Sequence, residues 1–220
     1  MKAIQINKGL IAIGFALLML SACSSSKDFL SDNFVNVRRN HKKIAILPFG
    51  VQFQNPVDFS NQKDNRSQKF FTKQEQEASL DAQKELFINV ARQVQKGRYE
   101  IAFQDFNQTN KILAKNGIRL DDVRLQNKAD LAKLLEVDAV IFGELTIKIT
   151  PMNNRAMPMM PNFRNDDGVE TDVKLFDAAT GEMVWSTLLF NRPNSQMDTP
   201  HRLSTGLMNQ VAKNLPYRNR

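Results

Sequence analysis

Cysteine is nearly absent: one residue, Cys23, stands in a chain of 220. A single thiol makes no disulfide within one chain, so stability has to come from packing. Histidine is almost as scarce, with only His41 and His201. The commonest general base at neutral pH is therefore poorly supplied, and both histidines read as solvated side chains. No nucleophile constellation emerges, which leaves an enzyme without residues to carry it. Membrane-spanning length is missing too. The apolar run Gly9–Leu20 has 12 residues, short of the roughly 18–20 that cross a bilayer as a helix. Acids are missing after Asp198, where Arg202, Lys213, Arg218 and Arg220 follow.

What is present begins at the N-terminus. Lys2 and Lys8 precede the apolar run, and small residues lead from it to the cysteine; this is the anatomy of a secretory signal peptide. Leu20-Ser21-Ala22-Cys23 resembles the lipobox of bacterial lipoproteins, in which the cysteine is acylated and becomes the new N-terminus. The resemblance implies cleavage after Ala22 and a lipid on Cys23. Ser24, in place of the aspartate that resembles an inner-membrane retention signal, implies an outer-membrane, periplasm-facing destination. The formal charge of +7 falls to +5 without Lys2 and Lys8. The cluster Arg38, Arg39, Lys42, Lys43 reads as a solvated face that also suits anionic headgroups. No nucleic-acid recognition motif accompanies it.

Three regions are expected: a signal peptide at 1–22, a lipidated flexible tether at 23–41, and one α/β domain at 42–220 with mobile loops near 50–72 and 151–168. Lys43–Phe49 is a β-branched apolar run stopped by Pro48, which suits a buried strand. Leu80, Phe87, Val90, Ala91 and Val94 share one face of a helix over 73–96 that ends at Gly97. A strand over 99–103, a short helix through Ile112 and Leu113, and a helix capped by Asn127 follow. Ala139–Phe142 forms the clearest strand core. Val169–Asp177 and Glu182–Phe190 read as a hairpin turning at Gly181. Thr199-Pro200 opens a last helix carrying Leu203, Leu207, Met208, Val211 and Leu215. The fold class is α/β, an α+β sandwich: a single mixed sheet of about five strands flanked by about four helices.

Three motifs in order, Lys43-Ile44-Ala45-Ile46-Leu47-Pro48-Phe49, Leu135–Glu144 with Asp138-Ala139-Val140-Ile141 and Gly143, and Val173–Trp185, resemble the CsgG-like and LpoB-like envelope lipoproteins. Val137 departs from the glycine of that pattern. The resemblance implies a fold like the N-terminal domain of TolB and a non-catalytic role in envelope assembly or secretion. It transfers no catalytic residue.

The stretch 151–161 gathers Met152, Met157, Met159 and Met160 between prolines. Adaptable thioethers suit contact with a partner, and Phe163 joins them as an expected contact residue. Copper binding is the alternative for soft sulfur ligands, with no His or Cys to support it. Asp166, Asp167, Glu170 and Asp172 lack the calcium-loop spacing, and Asp177 before Thr180-Gly181 is explained by a turn. Neither a cofactor nor a small-molecule substrate is expected. A secretion pore of the curli type is the other alternative. It needs barrel strands of about 9–11 residues, which the Pro- and Asn-rich stretches at 55–72 and 147–176 do not offer. From Cys23 to Asn40, 17 links reach at most about 60 Å, and a coil of that length averages about 25 Å. The expected protein is a membrane-proximal accessory or scaffold lipoprotein that contacts another envelope protein or its own copies.

Overall fold

The computed structural model describes residues 27–54, 65–148, 167–195 and 198–218. The elements run β1 (Lys27–Leu30), α1 (Phe34–Arg38), β2 (Lys43–Ile46), β3 (Gly50–Gln54), α2 (Asn65–Gln95), β4 (Ala102–Phe103), α3 (Phe106–Lys115), a 3-10 turn (Leu120–Asp122), α4 (Lys128–Leu135), β5 (Ala139–Lys148), β6 (Gly168–Asp177), β7 (Met183–Asn191) and α5 (Pro200–Asn214). They form one mixed sheet in the order β1-β7-β6-β5-β2-β4, with β3 also beside β5. The α/β class with one sheet is as the pattern implied. Among the described residues there are seven strands and five helices, against the expected about five and about four.

β2 and β3 are two halves of one track along β5. Ile44 pairs with Ala139, and Gly50 pairs with Glu144. The chain thus spends one more residue than β5 between those pairs, at Leu47-Pro48-Phe49, which is a bulge. Proline suits a bulge because no ladder N–H is required of it there. The extra residue inverts the alternation of side chains. Ile44 and Ile46 enter the larger core before it, and Phe49, Val51 and Phe53 enter that core after it. The strand expected to stop at Pro48 therefore resumes, and 50–54, read as the start of a mobile loop, is sheet. Helix α2 likewise begins at Asn65, well inside the stretch read as loop; residues 55–64 lie outside the described residues.

Gly143 faces the bulge. A Cβ there would lie 2.2 Å from Cε1 of Phe49, so the missing side chain is the room in which the ring sits. This is the physical content of the glycine in the 135–144 motif.

One face of the sheet carries α2 and α5 over Ile141, Leu145, Val173, Leu175 and Leu189. The other carries α3 and α4 over Ala45, Leu47, Val140 and Phe142. The buried face of α2 shares Val90 with the expected one but is otherwise shifted. Ala82, Leu86 and Val90 point in together with Gln83 and Asn89, while Leu80 and Val94 are exposed. Gln83 is admitted because its amide donates to Ile46 O at 2.8 Å and to Asn110 Oδ1 at 3.0 Å, which pays its desolvation. Helix α5 starts as expected, with Thr199 Oγ1 accepting from Arg202 N at 3.2 Å and Pro200 in the first turn.

The stretch read as a tether over 23–41 is structured from Lys27 onward. β1 pairs antiparallel with β7, Phe29 against Ser186. Phe34 and Val37 of α1 are buried, with the Phe34 ring edge-on to Tyr217 at 5.5 Å. Of the isolated apolar residues of this polar stretch, Phe34 docks it into the core, while Phe29 and Leu30 stay exposed on β1. His41 also corrects its reading as solvated: it is buried. Its Nε2 donates to Asp177 Oδ1 at 2.7 Å, and its Nδ1 accepts the Tyr217 hydroxyl. One neutral tautomer satisfies all three groups. His201 is exposed.

Candidate protein-interaction surface

The chain places its chemistry at the two ends of the sheet. At one end lies the His41–Asp177–Tyr217 cluster. Asp177 Oδ2 accepts from Thr180 N at 2.7 Å and Thr180 Oγ1 at 2.9 Å, so the residue assigned to a turn is the staple of the β6–β7 turn. Gly181 completes that turn at φ 74°. Burial pushes the Asp177 carboxyl up, yet the hydrogen bonds from His41 and Thr180 outweigh it and hold the pKa below its ordinary 3.8. Burial, followed by the Asp177 charge, pushes the Tyr217 phenol well above its ordinary range. A histidine with a carboxylate partner has the makings of a general base. Here its other nitrogen is already engaged by Tyr217 and all three groups are buried. The cluster clasps three distant parts of the chain together.

At the opposite end, β3 ends beside Lys148, β6 begins opposite Lys148, and β7 ends opposite Val169. β1 enters near the same end, opposite Leu188. The chain therefore leaves the sheet toward 1–26, 55–64 and 149–166 from one pole. On the face opposite α2 and α5, helices α3 and α4 reach only the far half. The half near this pole has no helix over it among the described residues. It presents Glu144, Glu170, Asp172 and Lys174 in one strip, with Lys174 Nζ 2.8 Å from Asp172 Oδ2.

Beside that strip runs an apolar one, Phe29, Leu188 and Phe190, at same-face positions of β1 and β7. Phe29 is 47% exposed and Phe190 41%. The Phe190 ring lies across Gly168, where a Cβ would come within 2.7 Å of its Cζ, and the Arg192 guanidinium lies 5.4 Å from its centroid. Covering both rings would remove roughly 180 Å² from water, on the order of 4 kcal/mol of transfer free energy. That suffices for an anchor but not for a stable complex, so the neighbouring charged strip has to take part in any contact.

Cys23, Met152, Met157, Met159, Met160 and Phe163, the residues singled out from the sequence, lie outside the described residues. Phe29 and Phe190 were not singled out. The signal was available for Phe190, an aromatic at an outward position of an alternating strand, whereas Phe29 stood in a stretch with no strand pattern.

No protein-family model matches the chain, and no curated protein matches it in sequence. Solved structures resemble it at low identity. A lipoprotein from Neisseria meningitidis is 13% identical with a TM-score of 0.43, over 78% of this chain and 99% of that one. PelC of Paraburkholderia phytofirmans, solved as a dodecamer, is 10% identical with a TM-score of 0.41, over 85% and 95%. The C-terminal domain of LpoB from Salmonella enterica is 8% identical with a TM-score of 0.35, over 70% and 84%. Likeness of this degree says nothing about partner or activity. It includes LpoB, named in the resemblance drawn from the sequence; the curli-channel and TolB parts of that resemblance stay expectations.

Proposed function

We propose that this chain is a non-catalytic, lipid-anchored envelope accessory protein that acts through protein contacts close to its membrane. The observation that carries the reading is the half-sheet with no helix over it among the described residues, with exposed Phe29 and Phe190 beside Leu188, at the pole where β1 begins. With lipid on Cys23, four links separate the anchor from Lys27 and span at most about 15 Å, in place of the 17 links of a tether reaching Asn40. The uncovered half-sheet would then face a partner within the first layers above the outer membrane, on its periplasmic side. The methionine-rich stretch joins β5 to β6 in the chain, and Met152, Met157, Met159, Met160 and Phe163 are proposed as further residues of the same contact.

Two measurements test this. Cys23→Ser should abolish palmitate labelling and leave the precursor uncleaved; labelling that persists removes the anchor. A photo-crosslinker at Phe190 in native envelopes should give a defined adduct, to another envelope protein or to a second copy, that a crosslinker at exposed Lys84 on α2 does not. Phe29→Asp should cut that adduct at least about fivefold while leaving Tm within a few degrees, as for an exposed position. Equal adducts at Phe190 and Lys84, or none at either, would sink the surface.

A further inference from the structure

Among the described residues β3 is paired along one side only. Phe53 N–H points away from β5 and donates to Glu75 Oε1 at 3.4 Å. The two-residue period of a strand turns the N–H and C=O of Val51 to that same outer edge. On β2 the corresponding edge is covered: β4 takes Lys43 and Ile44, and the Gln83 amide takes the carbonyl of Ile46. Past the bulge that cover ends. A cleft of about 360 Å³ opens between β3, the Thr72–Ser79 stretch of α2 and the Leu120–Arg124 turn.

Two side chains in this cleft are unused. Ser79 is 4% exposed, and its hydroxyl has no hydrogen-bond partner among the described residues, a costly state for a buried polar atom. Arg124 is exposed and its guanidinium makes no ion pair among the described residues. Its backbone is held in place, because Lys128 Nζ donates to the carbonyls of Val123, Arg124 and Gln126 at 3.0, 3.1 and 2.8 Å. By contrast Asp121 already serves Gln76 at 3.3 Å and Arg119 at 3.6 Å.

We propose that this cleft binds an extended peptide segment of a partner protein as an added strand on β3. Main-chain groups of the peptide pair with Val51, a polar side chain reaches the Ser79 hydroxyl, and Arg124 forms the rim. A free strand edge offers donors and acceptors at the spacing of a peptide backbone, and strand addition is a common use of such edges. The cleft volume, at the low end of roughly 300–1,000 Å³ for binding pockets, suits two or three residues and excludes a folded domain. The site lies apart from the Phe29–Phe190 strip and stands whether or not that strip binds anything.

The test uses the full lipidated protein in detergent, with a random dodecapeptide display library as the probe and synthetic copies of the selected peptides for titration. Selected peptides should slow Val51 amide exchange at least about tenfold. N-methylation of alternate peptide residues, which leaves the protein untouched, should weaken binding by about tenfold or more. Ser79→Ala should lower affinity several-fold while raising Tm by a degree or two, since it removes an unsatisfied hydroxyl. Failure to select any peptide would overturn the proposal, as would binding indifferent to N-methylation or protection confined to Leu188 and Phe190. Val51 exchange already slow in the dilute protein alone would mean that the chain fills its own edge, and slowing with protein concentration alone would mean that a second copy does; either overturns it too.

Discussion

Replacing Asp177 with alanine is expected to cost about 3–5 kcal/mol, because it removes the charged acceptor of three hydrogen bonds and leaves a buried imidazole N–H without a partner. The change strips His41 Nε2 of its acceptor and Thr180 of both its hydrogen bonds. It also frees the turn that closes β6 on β7 and the contact between residue 41 and the C-terminal Tyr217. For a chain of this size the loss corresponds to a fall in Tm of about 6–20 °C. The same pair sets an acid limit. The folded carboxyl lies below its ordinary 3.8, so the folded state binds the proton less readily than the unfolded one. The stabilisation is therefore present in full above the unfolded value and is lost as pH falls from about 4 downward through the folded one. Thermal melts from pH 7 to pH 3 should fall more steeply for the parent than for Asp177→Ala. Parallel curves would show that the pairing contributes nothing to acid sensitivity.

Gly143→Ala is expected to be nearly as damaging, although exchanging glycine for alanine in a regular strand ordinarily gains up to about 1 kcal/mol through reduced freedom of the unfolded chain. Here sterics win. The new methyl carbon would meet the Phe49 ring at 2.2 Å, and Phe49 is fully buried at the bulge. Overpacking of this kind costs about 1–3 kcal/mol and more when the neighbour cannot move. Phe49→Leu added to Gly143→Ala should recover part of the loss, giving a coupling energy of about 1 kcal/mol or more in a double-mutant cycle by denaturant melts. Additive effects, or a Gly143→Ala protein as stable as the parent, would contradict the packing described.

Much of the fold was legible because local pattern and tertiary packing agree. Thr199-Pro200 and Asn127 cap helices for local hydrogen-bonding reasons, Gly181 turns a hairpin because it tolerates positive φ, and Val169–Asp177 alternates because one of its faces is buried. Errors fall where the pattern is short or polar. Lys27–Leu30 has too few residues to show a period, and its strand exists only because β7 offers an edge. Leu80 and Val94 lie on a plausible helical face, but the sheet meets α2 along Ala82, Leu86 and Val90, with Gln83 admitted by a carbonyl that no sequence displays.

The candidate surface was hidden for the same reason. Whether an alternating strand shows its second face to water or to a helix depends on how far α3 and α4 reach, which is a matter of packing.

By itself the amino-acid sequence determined the α/β class with a single sheet, the lack of any disulfide within one chain, that Pro48 interrupts the first buried strand, and that Cys23 follows a signal-like segment. These are covalent or local facts, set by residue type and spacing. Only the tertiary structure decided that the chain resumes past Pro48 on the same neighbour, that His41 is clasped by Asp177 and Tyr217, and that Phe29 and Phe190 lie exposed on one face of the sheet. Each of those joins residues far apart in the chain, and their energies come from burial and pairing that exist only after the sheet has assembled.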